Sequence, residues 1–314
     1  MKSKTIIILF IFQTIAFNQT IGEGLYLSDL INYLNNNYKP NNVLSYNAAR
    51  DVLYGDIEAQ LNNGEVFCIY TNYSVNLPSN VDPSSYLYDN GMDCEHLWPQ
   101  SMYEGTSPMK SDMHHLKPCK SNVNSSRGNK PFNEINDSQT NTWYWLNMQS
   151  SNIPTSNIQE YSESGSSYFE PREDVKGDIA RSMFYFYTMY TNVANDNFFN
   201  TQKETLYQWH LEDPASQLEI DRTWEIATYQ NNLPNPFILD YTLVNRAYFY
   251  SEPNSNVGDI NLDSLINVVD VVLLVNYILG IDTLSEDSIQ QADLDNNNII
   301  NIIDVVALIN LILN

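Results

Sequence analysis

The segment DCEHLWPQS, residues 93–101, places a carboxylate and an imidazole side by side in a chain that has only four histidines. On a regular strand Glu95 and His96 point to opposite faces, unless a bend turns both toward one site. Two more histidines, His114 and His115, follow in SDMHHLKP, and the amide-rich stretch NVNSSRGNKPF comes next. A structural histidine is the default interpretation of such a pair, so the neighbouring segments must carry any argument for chemistry.

Together these three segments supply the groups that phosphodiester hydrolysis needs. A neutral imidazole takes a proton from water, a carboxylate and an amide oxygen hold a divalent metal, and cations balance charge on the phosphoryl oxygens. Residues 110–130 contain one acid, Asp112, and five cations, a local charge of +4 (five minus one): Lys110, Lys117, Lys120, Arg127 and Lys130. An anion-binding site is the functional interpretation of this stretch, and a solvated basic loop is the alternative.

The net charge of −23 opposes binding of a phosphate polymer, but it is unevenly distributed. Residues 251–314 contain ten acids and no lysine or arginine, so this tail alone contributes −10. The acidic character therefore belongs largely to the tail and does not exclude an anion site upstream.

The tail contains a pattern that begins at Asp259 and again at Asp293, 34 residues later (293 − 259). Oxygen-bearing side chains occupy positions 1, 3, 5, 9 and 12 of each copy: Asp259, Asn261, Asp263, Asn267 and Asp270, then Asp293, Asp295, Asn297, Asn301 and Asp304. That order is typical of a calcium-binding EF-hand loop. Ser264 and Asn298 replace the usual glycine at position 6, and Asp replaces Glu at position 12. An apolar helix is predicted after each loop.

The elements that must position these residues follow from caps and periodicity. Ser28 and Ser45 are predicted N-caps of short helices. A third helix is predicted to start at Pro171 and a fourth to run from Pro214 to about Tyr229.

Short strands are predicted in VFCIYTN and in the histidine segments, with His114 and His115 on the second strand of that pair. Lys176, Asp178 and Arg181 are interpreted as charges on a solvated helix face. The predicted fold class is α+β, with a mostly helical domain and a small all-α module at the C-terminus.

Several ordered blocks resemble the endonuclease I family, whose members are secreted or periplasmic nucleases built on a ββα-metal, or His-Me, finger. The blocks are CEHLWPQS, SDMHHLKP, VNSSRGN, FEPREDVKGDIARSMFYF, YNAARDVLYGDI and NPF, and the likeness spans residues 28–240. The resemblance implies that His96 is the general base, that Glu95 and Asn124 bind Mg²⁺, and that Arg127 contacts a phosphate. His114 and His115 are then supports for the site. One departure is that Leu233 and Pro234 stand where the family commonly has an arginine.

Residues 258–314 resemble a type I dockerin, the duplicated calcium module that docks secreted enzymes onto a cohesin partner. The resemblance implies Ca²⁺ in both loops and a partner that reads positions 10 and 11. Here those positions hold Val268, Val269, Ile302 and Ile303, which are more apolar than the hydroxyl residues of many dockerins.

Residues 1–20 read as a signal peptide, with lysines before a short apolar run, which predicts export and an extracellular location. The predicted organisation is then a nuclease-like domain at 21–250, a linker at 251–257 and a dockerin-like domain at 258–314. Three cysteines allow one disulfide, and Cys94 and Cys119, which flank the histidine region, are one possible pair.

The predicted function is a metal-dependent, nonspecific endonuclease for DNA, RNA or both that leaves 5′-phosphate ends. A ribonuclease on the same scaffold and a non-catalytic nucleic-acid adaptor are the alternatives.

Overall fold

The protein, described by a computed structural model over residues 20–103, 105–250 and 257–313, divides into two compact units with the boundary between Phe249 and Tyr250. Residues 1–19 of the predicted signal peptide and residues 251–256 of the predicted linker lie outside the described residues. Among the described residues, no helix combines the length and apolar character needed to cross a bilayer.

The first unit is α+β, with helices surrounding small antiparallel sheets. Its helices are α1 (Leu27–Tyr38), α2 (Tyr46–Asp51), which continues through a π-helical segment (Val52–Glu58) into α3 (Ala59–Leu61), α4 (Pro83–Asp89), α5 (Ser121–Arg127), α6 (Lys176–Met189), α7 (Asp196–Glu212), α8 (Gln217–Tyr229) and α9 (Pro236–Leu239). Its strands are β1 (Glu65–Phe67), β2 (Ser74–Asn76), β3 (Met92–His96), β4 (Leu116–Lys120), β5 (Thr142–Trp145), β6 (Met148–Ser150), β7 (Ser162–Ser164) and β8 (Phe169–Glu170). The described sheets are the pairs β1–β2 and β3–β4 and a four-stranded sheet in the order β6-β5-β7-β8.

Helix starts agree with the sequence only where a side chain caps the helix. Ser45 accepts a hydrogen bond from the Ala48 N–H, as predicted, whereas the Ser28 prediction is wrong because Tyr26 occupies the N-cap of α1. Helix α8 starts at Gln217 rather than Pro214, with Ser216 as its cap.

Helix α6 starts at Lys176 rather than at the predicted Pro171. The preceding segment is tied to the sheets, because the Arg172 backbone N–H donates to Ser162 Oγ and its Nε donates to the Ile69 carbonyl. Hydrogen bonds to these two partners therefore keep the segment before Lys176 from joining helix α6.

Strands β3 and β4 pair in antiparallel register, from Met92 opposite Lys120 to His96 opposite Leu116. Helix α5 follows β4 without an intervening loop. The predicted second strand is displaced, because His114 and His115 lie in a 3₁₀ turn (Met113–His115) just before β4. Glu95 and His96 thus lie on β3 and Asn124 on α5, and β4 joins these two elements.

An aromatic core packs against the segment that follows the Glu-His pair. Trp98, which directly follows the Glu-His pair, is fully buried and stacks on Phe186 of α6 with ring centroids 4.9 Å apart. Aromatic side chains of this size bury large apolar areas and dominate core energetics. The histidine segment is therefore held at one end by β3–β4 pairing and at the other by Trp98.

The charges of α6 are buried, so their interpretation as a solvated face is wrong. Arg181 is 1% exposed and pairs with Asp178 and with Glu219 of α8, the latter at 2.6 Å. Lys176 is 4% exposed and donates to Glu134, Glu170 and Glu173. These pairs link α6 to the rest of the unit and do not reach the Glu-His segment.

All three cysteines are free and buried, so the structure does not have the Cys94–Cys119 disulfide that the sequence allowed. Cys119 lies instead beside Cys68, with the two sulfur atoms 3.9 Å apart.

The second unit consists of α10 (Val268–Ile278), α11 (Glu286–Ala292) and α12 (Ile302–Leu313). A small core of Ile260, Leu274, Ala292, Val305 and Leu308 joins them. Each predicted calcium loop leads directly into an apolar helix, α10 or α12, as the repeat predicted.

Candidate active site

The imidazole of His96, at the end of β3, has both ring nitrogens in defined positions. Its Nε2 lies 3.1 Å from the main-chain oxygen of Lys110, and its Nδ1 lies 3.3 Å from Nε2 of Gln100. A carbonyl oxygen can only accept, so Nε2 carries the proton and Nδ1 is the acceptor. The basic nitrogen therefore points toward Gln100, which lines a surface cleft together with Glu95, Asn124 and Asn129.

The surroundings of His96 keep it neutral. Burial is the largest cause that lowers its pKa, to about 3, and the nearby His115, Lys110 and Arg50 act in the same direction. The unprotonated form is the one that can accept a proton from water.

Glu95 is held by two side chains that the sequence did not single out as its partners. The hydroxyl of Tyr70 donates to Glu95 Oε1 at 2.6 Å, and Arg127 Nη1 lies 3.1 Å from the same oxygen. Burial raises the pKa of Glu95, while Arg127 and Tyr70 oppose that shift. Tyr70 follows β1, is fully buried and fixes the carboxylate in place. It lies 25 residues before Glu95 in the chain, so no local pattern in the sequence indicates the contact.

Arg127 does not fit the expected direct phosphate contact. Its side chain is fully buried, pairs with Glu95, and donates to the main-chain oxygens of His96 and Leu97 at 3.2 and 2.6 Å. These three partners all lie inside the fold. The guanidinium therefore orients strand β3 and the Glu95 carboxylate and does not face a ligand in solvent.

Asn124 of α5 is the third predicted site residue on the cleft. Its Nδ2 donates to the Cys94 carbonyl at 3.4 Å, which leaves the amide oxygen as the free ligand atom. The structure thus brings Glu95, His96 and Asn124 to one cleft through β3–β4 pairing and the start of α5.

His114 and His115 lie behind this cleft. His114 Nε2 donates to the Leu233 carbonyl at 2.9 Å and His115 Nε2 donates to the Met109 carbonyl at 2.7 Å. The His115 ring also lies 5.5 Å from the His96 ring. Both side chains are buried; His115 supports the loop that carries the His96 partner Lys110, whereas His114 ties the segment to the loop at Leu233.

The predicted basic stretch is only partly accessible. Lys117 is 5% exposed and lies among Arg222, Glu58 and Glu219, with its pKa lowered chiefly by burial. Lys117 and Arg127 are therefore removed from the predicted anion-binding set, while Lys110, Lys120 and Lys130 remain half-buried at the surface.

The two loops of the second unit have matching geometry. In the first, Asp259 accepts from the backbone of Asp263 and Ser264; in the second, Asp293 accepts from Asn297 and Asn298. Position 6 is left-handed in both, with φ of 70° at Ser264 and 62° at Asn298. These two residues therefore adopt the conformation for which glycine is usual.

The predicted ligand at position 12 accepts backbone hydrogen bonds in both loops. Asp270 accepts from the backbone of Ile260 and Asn267, and Asp304 accepts from Leu294 and Asn301. Carboxylate oxygens of Asp293, Asp295 and Asp304 all lie within 4.8 Å of one another. Hard oxygen donors at this spacing suit Ca²⁺.

A buried imidazole, a carboxylate and an amide, on β3 and α5, thus line one cleft. The chain belongs to the Endonuclease I family, whose model matches residues 27–241. Residues 257–313 match the Dockerin type I domain.

Two relatives share the first unit. An extracellular ribonuclease of Bacillus subtilis (strain 168) is 29% identical over 217 residues, which cover 62% of this chain and 66% of the relative. An extracellular ribonuclease of Bacillus amyloliquefaciens is 27% identical over 216 residues, 62% of this chain and 65% of the relative. The chain thus spans just under two thirds of the length of these relatives.

Proposed function

We propose that the protein is a secreted, metal-dependent endonuclease that hydrolyses phosphodiester bonds in DNA and RNA without sequence specificity, and that its tail docks it to a cohesin partner. The observation that carries the proposal is the orientation of His96. Its Nε2–H is fixed by the Lys110 carbonyl, and its Nδ1 accepts from Gln100 Nε2 on the cleft that Glu95 and Asn124 share, so that the attacking water takes the place of the Gln100 amide at Nδ1.

In this mechanism His96 accepts a proton at Nδ1 from the water that attacks phosphorus. The reaction is in-line, and the 3′ oxygen leaves, so the products carry 5′-phosphate ends. Burial keeps the imidazole neutral, and the Lys110 carbonyl stabilises the proton on Nε2 during the transfer.

The donor set of the cleft fits Mg²⁺. Glu95 offers a carboxylate and Asn124 a free amide oxygen, both hard ligands, and one or two such protein ligands plus waters are typical of Mg²⁺. When bound, the ion would supply charge stabilisation for the leaving oxygen. Arg127 and Tyr70 hold Glu95 in position for this role.

Nothing in this arrangement uses the 2′-hydroxyl of a ribose, which supports activity on both polymers. Contacts to phosphates give affinity without reading sequence, which fits a shallow site of this kind. A ribonuclease on the same scaffold is the second candidate, and the two relatives named as extracellular ribonucleases favour it.

The deciding experiment incubates purified full-length protein with supercoiled plasmid and with RNA, in Mg²⁺ or chelator. Cleavage of both polymers in Mg²⁺ only is expected, whereas RNA cleavage alone would favour the ribonuclease. Binding without any cleavage would favour a non-catalytic adaptor.

His96→Ala is expected to slow cleavage by roughly 10² to 10⁴ with the fold retained by circular dichroism. Asn124→Ala is expected to abolish turnover or to demand more Mg²⁺. Asn122→Ala is the matched control, because Asn122 is an exposed asparagine on the same helix, α5. A folded His96→Ala protein with wild-type rate would refute the mechanism.

Docking is supported by the exposed apolar pairs at loop positions 10 and 11. Val268 and Val269 are 67% and 49% exposed, and Ile302 and Ile303 are 64% and 56% exposed. Since apolar side chains at helix starts are free for contact, a cohesin with an apolar recognition surface is the proposed partner. Replacing all four by aspartate is expected to abolish capture of the full chain on immobilised cohesin without altering nuclease activity.

A further inference from the structure

The aromatic ring of Tyr46 lies beside His96, the proposed general base. The ring of Tyr46, the first residue of α2, lies 5.4 Å from the His96 ring. Two cations lie over the same tyrosine: the guanidinium carbon of Arg50 is 4.8 Å and Lys110 Nζ is 4.9 Å from its ring centroid. Tyr46 thus holds two cations against its ring beside the His96 imidazole.

Neither cation forms an ion pair with a carboxylate in the part of the chain that the structure describes, although Arg50 is one of the groups that lower the pKa of Asp82. Five of the six arginines in the described residues pair with a carboxylate: Arg127, Arg172, Arg181, Arg222 and Arg246. Arg50 is the exception: its side chain donates to Asn47 at 2.9 Å, and its buried Nε has no hydrogen-bond partner. Lys110 likewise forms no ion pair among the described residues. A buried donor without a partner is uncommon and requires an explanation.

The net negative charge of the chain makes cations without an ion pair important for binding a polyanion. A protein of net charge −23 repels a polyanion, so productive binding requires uncompensated positive charge close to the reacting atoms. Arg127 and Lys117 cannot supply it, because both are buried within the fold. The positive charges of Lys110 and Arg50 are also felt at His96, where they act after burial and His115 in lowering its pKa.

We propose that Arg50 and Lys110, both held against the ring of Tyr46, form an anion subsite that binds a backbone phosphate of the nucleic acid next to His96. The inference rests on the proposed nuclease function and assigns to these residues the phosphate contact that the buried Arg127 does not make. Arg50, whose side chain is half-buried, offers its guanidinium to a phosphate oxygen, and Lys110 supplies a point charge. Cation–π contacts to Tyr46 hold both side chains in place before the substrate arrives.

The test measures binding separately from cleavage. Full-length His96→Ala protein in chelator is titrated with a fluorescent single-stranded oligonucleotide at several salt concentrations. Each phosphate contact contributes about 0.7 to the slope of log K against log salt for a single strand. Arg50→Gln and Lys110→Gln in this background are each expected to lower the slope by about 0.7, and the double variant by about 1.4.

Lys203→Gln is the control with the same charge change, because Lys203 is paired with Glu204 on α7. It is expected to leave the slope unchanged, and Arg50→Lys is expected to retain most of it. A wild-type slope in the folded double variant, or an equal loss in Lys203→Gln, would overturn the subsite.

The two proposals fail separately. Absence of cleavage by the wild-type protein would count against the nuclease function. The salt dependence of oligonucleotide binding tests the subsite independently, because it requires no turnover. In the catalytically intact chain, the double variant is expected to raise KM more than it lowers kcat, and an unchanged KM with a lowered kcat would also overturn the subsite.

Discussion

At the scale of single residues, the pair of Glu95 and Arg127 shows how the site is held. Both side chains are at most 3% exposed, so each charge depends on the other for compensation. Removing one partner of a buried pair costs about 3–5 kcal/mol, because the remaining charge is left without a counterion.

Arg127→Met is accordingly expected to lower the free energy of unfolding by about 3–5 kcal/mol in urea titrations and to impair cleavage. The double variant with Glu95→Gln is expected to regain part of that stability but no activity. Wild-type stability in Arg127→Met would show that the pair contributes nothing to the fold.

A second residue-scale prediction concerns Glu163 of β7, which is 7% exposed and accepts a hydrogen bond from Thr140. Burial raises its pKa to about 7; Asp137 and Glu134 also raise it, while Thr140 and Lys176 lower it. Its folded pKa is above the unfolded reference of about 4.3, so stability falls as pH rises between these two values.

Glu163→Gln removes this loss. The difference in melting temperature between variant and wild type is expected to grow in favour of the variant from pH 4.5 to 7 and to level off above that. Other titrating groups are common to both proteins and cancel. A difference that does not change with pH would contradict the raised pKa.

At the scale of elements, the first turn of α6 meets the loop before α8 at close range. A Cβ placed on Gly177 would lie 1.9 Å from the main-chain oxygen of Asp213, which also accepts from Arg181 Nη1 at 2.6 Å. Helix propensity alone would favour alanine here by about 1 kcal/mol. The overlap with backbone outweighs this gain, since overpacking costs about 1–3 kcal/mol and backbone cannot rotate away.

Gly177→Ala is therefore expected to lower the melting temperature. Gly165→Ala is the control, because its new Cβ would meet first the flexible Ile135 side chain at 3.3 Å. Equal effects of the two substitutions would show that the contact between α6 and the loop is not tight in solution.

At the scale of the whole molecule, two separate cores predict two separable modules. The second unit has a small core, and the carboxylates of its second loop lie close together, so without a cation these charges repel. Ca²⁺ binding is expected to be coupled to folding there.

Circular dichroism of residues 253–314 is expected to show helix rising on addition of Ca²⁺, and Asp259→Ala with Asp293→Ala is expected to block the rise. A chain ending at Glu252 is expected to keep Mg²⁺-dependent cleavage. Full helicity of the tail in chelator, or loss of cleavage by a folded truncated chain, would contradict the modular view.

The sequence by itself determined the features that depend on neighbours along the chain. The strand, strand and helix around Glu95, His96 and Asn124 follow from local patterning, and the two predicted calcium loops follow from a repeat in which all the predicted ligands lie within one short segment. Local ligand order is visible in sequence because the loop geometry fixes which positions face the ion.

Tertiary structure decided what the charged residues do. Whether Arg127, Lys117 and Arg181 face solvent or lie in the interior depends on partners distant in the chain, such as Glu95, Glu58 and Glu219. The protonated nitrogen of His96 depends on a carbonyl 14 residues away, and Arg50 is left without an ion pair among the described residues. Charge composition is a property of the sequence, but burial and pairing are set only when distant segments pack together.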